Sequence, residues 1–168
     1  MTRLRKGDFA KALSLSEQFN IKAGKRPNRR VKAVLSQAIE FLAPLAADIQ
    51  KGSVINMGSA WTGPDVFLDA AKAQELARQK DRTAYLTGDL DLELSKRDAE
   101  KLNHIRKTFG LSSDKQAVGL ALRVYSGVCE NTWRGNGFSI ERPLSQGRMG
   151  RERPLDTSKI KGITGPGA

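Results

Sequence analysis

Between Leu90 and Glu130 the spacing of apolar residues changes period twice. Leu90-Asp91-Leu92-Glu93-Leu94 alternates apolar and charged positions, which predicts a short strand with one buried face. Ser95-Lys96-Arg97-Asp98 then has the S-x-x-D spacing of a helix start, with Ser95 as N-cap and Asp98 reaching back. Ala99, Leu102, Ile105 and Phe109 follow at helical spacing and form one apolar stripe, and Gly110 ends the helix in a left-handed conformation. Ser113-Asp114-Lys115-Gln116 repeats the capping signal, and a second helix runs to about Val128. Ala117, Val118, Leu120, Ala121, Leu122, Val124 and Tyr125 lie almost all round it, so it is expected to be buried on more than one side.

The N-terminal part carries a weaker version of the same order. Thr2-Arg3-Leu4-Arg5-Lys6 reads as a short basic strand with Leu4 turned inward, and Asp8 as the cap of a helix bearing Phe9, Ala12, Leu13 and Phe19. Ile21 to Pro27 breaks the pattern. Asn28 is expected to cap a strongly amphipathic helix with Val31, Val34, Leu35, Ala38, Ile39 and Leu42 on one face. Pro44 should kink or end it, with the pattern resuming to about Ile49. Gly52 to Gly63, with Trp61, reads as a loop. Thr62-Gly63-Pro64-Asp65 reads as the start of a helix that continues to about Lys80 and buries Phe67, Ala70, Ala71 and Leu76. Thr83 to Thr87 has strand character, set off from Leu90 by Gly88. From Asn131 on, the chain is rich in Gly, Pro, Arg and Ser, without a sustained period. Its Gly135-Asn136-Gly137 and Gly162 to Gly167 stretches read as turns, Trp133 and Phe138 as pins to the body, and the last fifteen or so residues as mobile.

A lone strand followed by two helices leaves strand edges unpaired and needs a partner. The Leu90–Glu130 stretch resembles the ribbon-helix-helix family, in which two copies pair their strands antiparallel and interlock their helices. Residues 2–49 read either as a second, degenerate copy of the unit or as a basic arm followed by two ordinary helices. In the first case the chain resembles the tandem, single-chain ribbon-helix-helix proteins, some of which are accessory factors in conjugative DNA transfer. The expected fold is mainly α with a short antiparallel β-ribbon, as a homodimer or as an intrachain pseudo-dimer. Its parts are a basic arm and helices (1–49), a loop and connecting helix (50–86), the ribbon-helix-helix-like module (87–130) and a basic Gly/Pro-rich tail (131–168). The resemblance implies sequence-specific DNA binding, with outward strand side chains in the major groove and a phosphate at the start of the second helix, near Ser113. The chain departs from that pattern at Asp89, Asp91 and Glu93, which are acidic where the family usually has basic or amide side chains. The strand is therefore expected to read DNA poorly, and the module to serve mainly for pairing.

Charge changes the picture more than composition does. The chain has 168 residues and a formal net charge of +11. Residues 1–32 hold ten Lys/Arg against two acids and residues 131–168 hold seven against three, whereas the body between is nearly neutral. Two basic ends on a neutral body favour a polyanionic partner, nucleic acid before an anionic membrane. A single cysteine, Cys129, forbids an intrachain disulfide and fits a reducing cytoplasm. No apolar run reaches the length of a membrane span, and no signal-peptide core follows the basic start.

Catalytic constellations are missing from the sequence. His104 is the sole histidine and reads as a surface or interface residue, and Cys129 reads as a packing residue. One Cys and one His do not make a typical zinc set, no phosphate loop or dinucleotide glycine pattern occurs, and neither cofactor nor enzymatic activity is expected. Asp89, Asp91 and Glu93, about 7 Å apart along a strand, read as a solvated sheet face. The basic cluster Lys25-Arg26-Pro27-Asn28-Arg29-Arg30-Val31-Lys32 sits at a helix start, where the dipole also favours phosphate. Expected DNA contacts are Lys25, Arg26, Arg29, Arg30 and Lys32, with Arg3, Arg5 and Lys6 from the arm, Ser113, and Arg142, Arg148, Arg151 and Arg153 tracking phosphates from the tail. Few aromatics accompany these cations, which favours duplex over single-stranded DNA. The expectation is thus a repressor or an accessory factor in plasmid or mobile-element DNA processing. The alternative is a protein-interaction module, antitoxin-like or an assembly adaptor, whose tail folds onto a partner.

Overall fold

The computed structural model describes residues 1–19, 21, 24–57, 67–78, 88–133, 139–141 and 153–154. It is mainly helical. Strand β1 (Thr2–Arg5) leads without a break into helix α1 (Lys6–Gln18), and helix α2 (Pro27–Gln50) follows. Strand β2 (Val54–Asn56), strand β3 (Phe67–Leu68) and helix α3 (Ala70–Arg78) form a connection. Strand β4 (Asp89–Leu92), helix α4 (Lys96–Thr108) and helix α5 (Asp114–Trp133) then repeat the opening order. Strands β5 (Ser139–Glu141) and β6 (Arg153–Pro154) come last.

Strands β1 and β4 pair antiparallel within the chain, Thr2 opposite Leu92, Arg3 opposite Asp91, Leu4 opposite Leu90 and Arg5 opposite Asp89. This register turns Thr2, Leu4 and Leu92 into the core and leaves Arg3, Asp89 and Asp91 outside. The two strand-helix-helix units meet beneath the ribbon. Helix α2 packs on α4 as well as on its own α1, α5 packs on α1 as well as on its own α4, and α2 and α5 pack on each other, so partners are shared between the units. Both long helices are consequently buried widely, α2 through Val31, Val34, Leu35, Ala38, Ile39, Phe41, Leu42, Leu45 and Ala46, and α5 through Ala117, Val118, Leu120, Ala121, Leu122, Val124, Tyr125, Val128 and Cys129. The all-round apolar pattern of α5 thus matches its place at the centre of the fold.

Several boundaries differ from the sequence expectation, each for a local reason. Strand β4 is Asp89–Leu92 rather than Leu90–Leu94, because β1 offers only four residues to pair, and Leu90 stays 36% exposed on the ribbon. Asp8 does not cap α1; the helix starts two residues earlier and Asp8 lies buried in its first turn. Helix α2 is capped by Arg26 with Pro27 first in the helix, not by Asn28, since Pro needs no partner for its missing N–H there. Pro44 neither ends nor interrupts α2. Its ring is exposed while Ala43 and Leu45 on either side are buried, so packing holds the helix through the missing bond.

The connection departs further. Val54–Asn56, expected to be loop, pairs antiparallel with both β3 and β5, and a small sheet of order β3-β2-β5-β6 results. Phe67 belongs to β3 rather than to a helix. Helix α3 begins at Ala70, where the Asp69 carboxylate accepts from the Lys72 N–H at 2.8 Å, and it buries Ala73 and Ala77 while Ala70 and Ala71 are exposed. The segment after Asn131, expected to lack regular structure, contributes β5 and β6. The expected helix start at Thr62–Asp65, the Thr83–Thr87 strand, Trp61, the Gly135–Gly137 turn, Phe138 and the last fourteen residues lie outside the described residues. Among the described residues no helix is long and apolar enough to cross a membrane.

Candidate nucleic-acid interface

The ribbon's outer face is built by alternation, which points Arg3 and Asp91 away from Leu4 and Leu92. Arg3 Nε lies 3.3 Å from Asp91 Oδ1, directly across the ribbon, with both side chains more than half exposed. Arg5 is half-buried. Its Nη1, with the Asp8 carboxylate, lies close against Gly119 of α5, where a side chain would meet Asp8 Oδ2 at 3.5 Å and Arg5 Nη1 at 3.9 Å. Arg5 is therefore turned toward the body rather than standing clear as a groove contact. Lys6 is exposed; its backbone N–H bonds the Gly88 carbonyl at 3.1 Å and its side chain lies along Gly88.

At the start of α2, Lys25, Arg26 and Arg29 are exposed and enter no ion pair among the described residues, and the first turn carries no acid. Arg30 differs: its Nη1 reaches Glu17 Oε1 at 3.4 Å, tying α2 to α1. Lys32 is half-buried and lines a hollow of about 480 Å³ with Ala33, Ser36, Glu93, Leu94, Ser95 and Asp98. The second and third turns of α2 thus face the residues just after β4 across this hollow. Of the five cations expected here, three are exposed without an ion-pair partner among the described residues, Arg30 is paired, and Lys32 is half-buried.

The start of α5 abuts the other end of the ribbon, because Lys115 Nζ lies 3.0 Å from Asp89 Oδ2. Ser113 is a cap: its Oγ accepts from the Gln116 N–H at 3.3 Å, while Gln116 Oε1 accepts from the Ser112 N–H at 3.1 Å. Asp114 faces Arg106 at 3.8 Å. Lys115 and Arg106 do not stand out in the sequence; the only signal is Lys115's place in a first helical turn. Arg153 lies in β6, and Arg142, Arg148 and Arg151 lie outside the described residues.

His104 and Cys129 differ in setting. His104 is exposed on α4. Cys129 is fully buried, and burial pushes its thiol up to about 12, so it is no thiolate nucleophile at neutral pH. Tyr125, one turn earlier, is raised as well, first by burial and then by the neighbouring Cys129, and its hydroxyl donates to Gln37 Oε1 across the α2–α5 contact. No family model, curated protein or solved structure matches this chain.

Proposed function

We propose that this chain binds duplex DNA through a tandem ribbon-helix-helix-like frame, as a repressor or an accessory factor in plasmid or mobile-element DNA processing. The observation that carries the proposal is the trio Lys25, Arg26 and Arg29, exposed and without ion-pair partners among the described residues, at the start of a helix whose first turn carries no acid. An exposed cation at a helix start is destabilising for the free helix, and phosphate relieves it through Coulomb attraction and the free backbone N–H groups. The intrachain pairing of β1 with β4, and the sharing of helix contacts beneath it, support the family-like frame. Arg3–Asp91 pairing supports the expectation that the ribbon itself contributes little to base reading.

Fluorescence anisotropy on a labelled duplex tests this. Binding should fall steeply with salt and survive competition by heparin at moderate ionic strength. Equal affinity for heparin and duplex would rule out DNA recognition. A second reading, docking of a protein through the charge-balanced ribbon face, is favoured by the Arg3–Asp91 and Lys115–Asp89 pairs. Co-purification of a defined protein that persists after Lys25, Arg26 and Arg29 are neutralised would favour it over the first.

A further inference from the structure

We infer, on the basis of the DNA-binding reading above, that the chain grips a duplex with one half of its frame only. The α2 half engages phosphate, and the matching α5 half is closed to phosphate by the chain's own carboxylates.

The two halves hold equivalent places. Each second helix lies near one end of the ribbon, α2 sharing a hollow with Glu93 through Lys32 and Ser36, and α5 meeting Asp89 through Lys115. Their charges differ: the α2 start is cationic, and the α5 start is balanced. The α2 start offers Lys25, Arg26 and Arg29 with no acid in the first turn. The α5 start carries Asp114 in its first turn, and its cation Lys115 is held at 3.0 Å by Asp89. Two of the donors that would otherwise hold an anion there are taken, since the Gln116 N–H bonds Ser113 Oγ and the Ser112 N–H bonds Gln116 Oε1. A phosphate at this end would meet the carboxylates of Asp89 and Asp114 and would first have to break the Lys115 pair. Arg106, the other cation at this end, is likewise engaged, by Asp114 at 3.8 Å, so both cations already face the chain's own carboxylates. The partner that fits is an asymmetric duplex element, one without the inverted repeat that a frame with two equal grips would require.

The slope of log affinity against log salt counts phosphate contacts and tests this on the full chain with a mixed-sequence duplex. Replacing Lys25, Arg26 and Arg29 together by Ala should lower the slope by about three. Asp89→Asn frees Lys115 and should raise it by about one, and adding Lys115→Ala to that variant should return it to the wild-type value. All these side chains are exposed or half-exposed, so circular dichroism should show an unchanged fold. The inference is overturned if Asp89→Asn leaves the slope where it was, or if Lys115→Ala alone lowers it by about one. Either result leaves DNA binding itself standing, whereas a wild-type chain that prefers heparin to duplex removes both.

Discussion

Cys129 shows how far burial alone decides a residue's chemistry. The thiol sits in the α5 core with its pKa moved from 9.0 to about 12, burial outweighing the opposing influence of the neighbouring Tyr125 hydroxyl. The folded chain therefore keeps a proton that the unfolded chain releases near the ordinary value, so this contribution to stability is intact below about pH 9 and lost as pH rises toward about 12. Tyr125 is shifted the same way and adds to the loss above its own ordinary value of 10.0. Urea midpoints measured between about pH 8 and about pH 10.5 should fall, and fall less in Cys129→Ala after allowance for that variant's lower starting stability. Native Cys129 should also resist alkylation until the protein is unfolded. A constant midpoint across that range would refute the assignment. The apolar neighbours of this cysteine in the sequence already mark it as a packing residue, and that much is legible locally. They cannot mark Arg30 as lost to Glu17 or Lys115 as lost to Asp89, because those partners are 13 and 26 positions away.

Helix ends with side-chain caps are legible in local residue spacing. Ser95 Oγ accepts from the Asp98 N–H at 3.1 Å, and Gly110 takes a φ of 63°, as their spacing implies. Ser95→Ala should cost about 1 kcal/mol through the orphaned N–H groups. Gly110→Ala should cost roughly 1 kcal/mol or more, since an L side chain is strained at that φ. Both are measurable as shifts in urea midpoint, and a neutral Gly110→Ala would show that the turn relaxes. The starts of α1 and α2 escape sequence reading for the complementary reason. Their N-caps are Arg5 and Arg26, which make no side-chain cap bond and leave no signature. The two- and three-residue strands β3 and β2 are too short to show a period and exist only because they pair.

Across the molecule, the pairing of β1 with β4 closes the ribbon inside one chain. Each Arg of β1 faces an Asp of β4, so pairing two β1 strands, or two β4 strands, between separate chains would set like charges opposite each other. The chain should accordingly sediment as a monomer near its mass of 18.4 kDa. A stable dimer that dissociates on charge reversal at Arg3 would show that the strands pair in trans instead. The cations of the chain also differ in how they are held. Cross-strand and interhelix carboxylates engage Arg3, Arg30 and Lys115, whereas Lys25, Arg26 and Arg29 stay exposed together at the start of α2.

The local code of this chain specifies which stretches become helices, which faces of them turn apolar, and where glycine and serine end or start them, because those outcomes depend on residues within about four positions. Which strand meets which, that α2 runs through Pro44, that Val54–Asn56 joins strands from both sides, and which cations remain free are settled only when distant segments come together. Hydrogen-bond ladders and ion pairs join residues by proximity in space, and sequence distance carries no record of it.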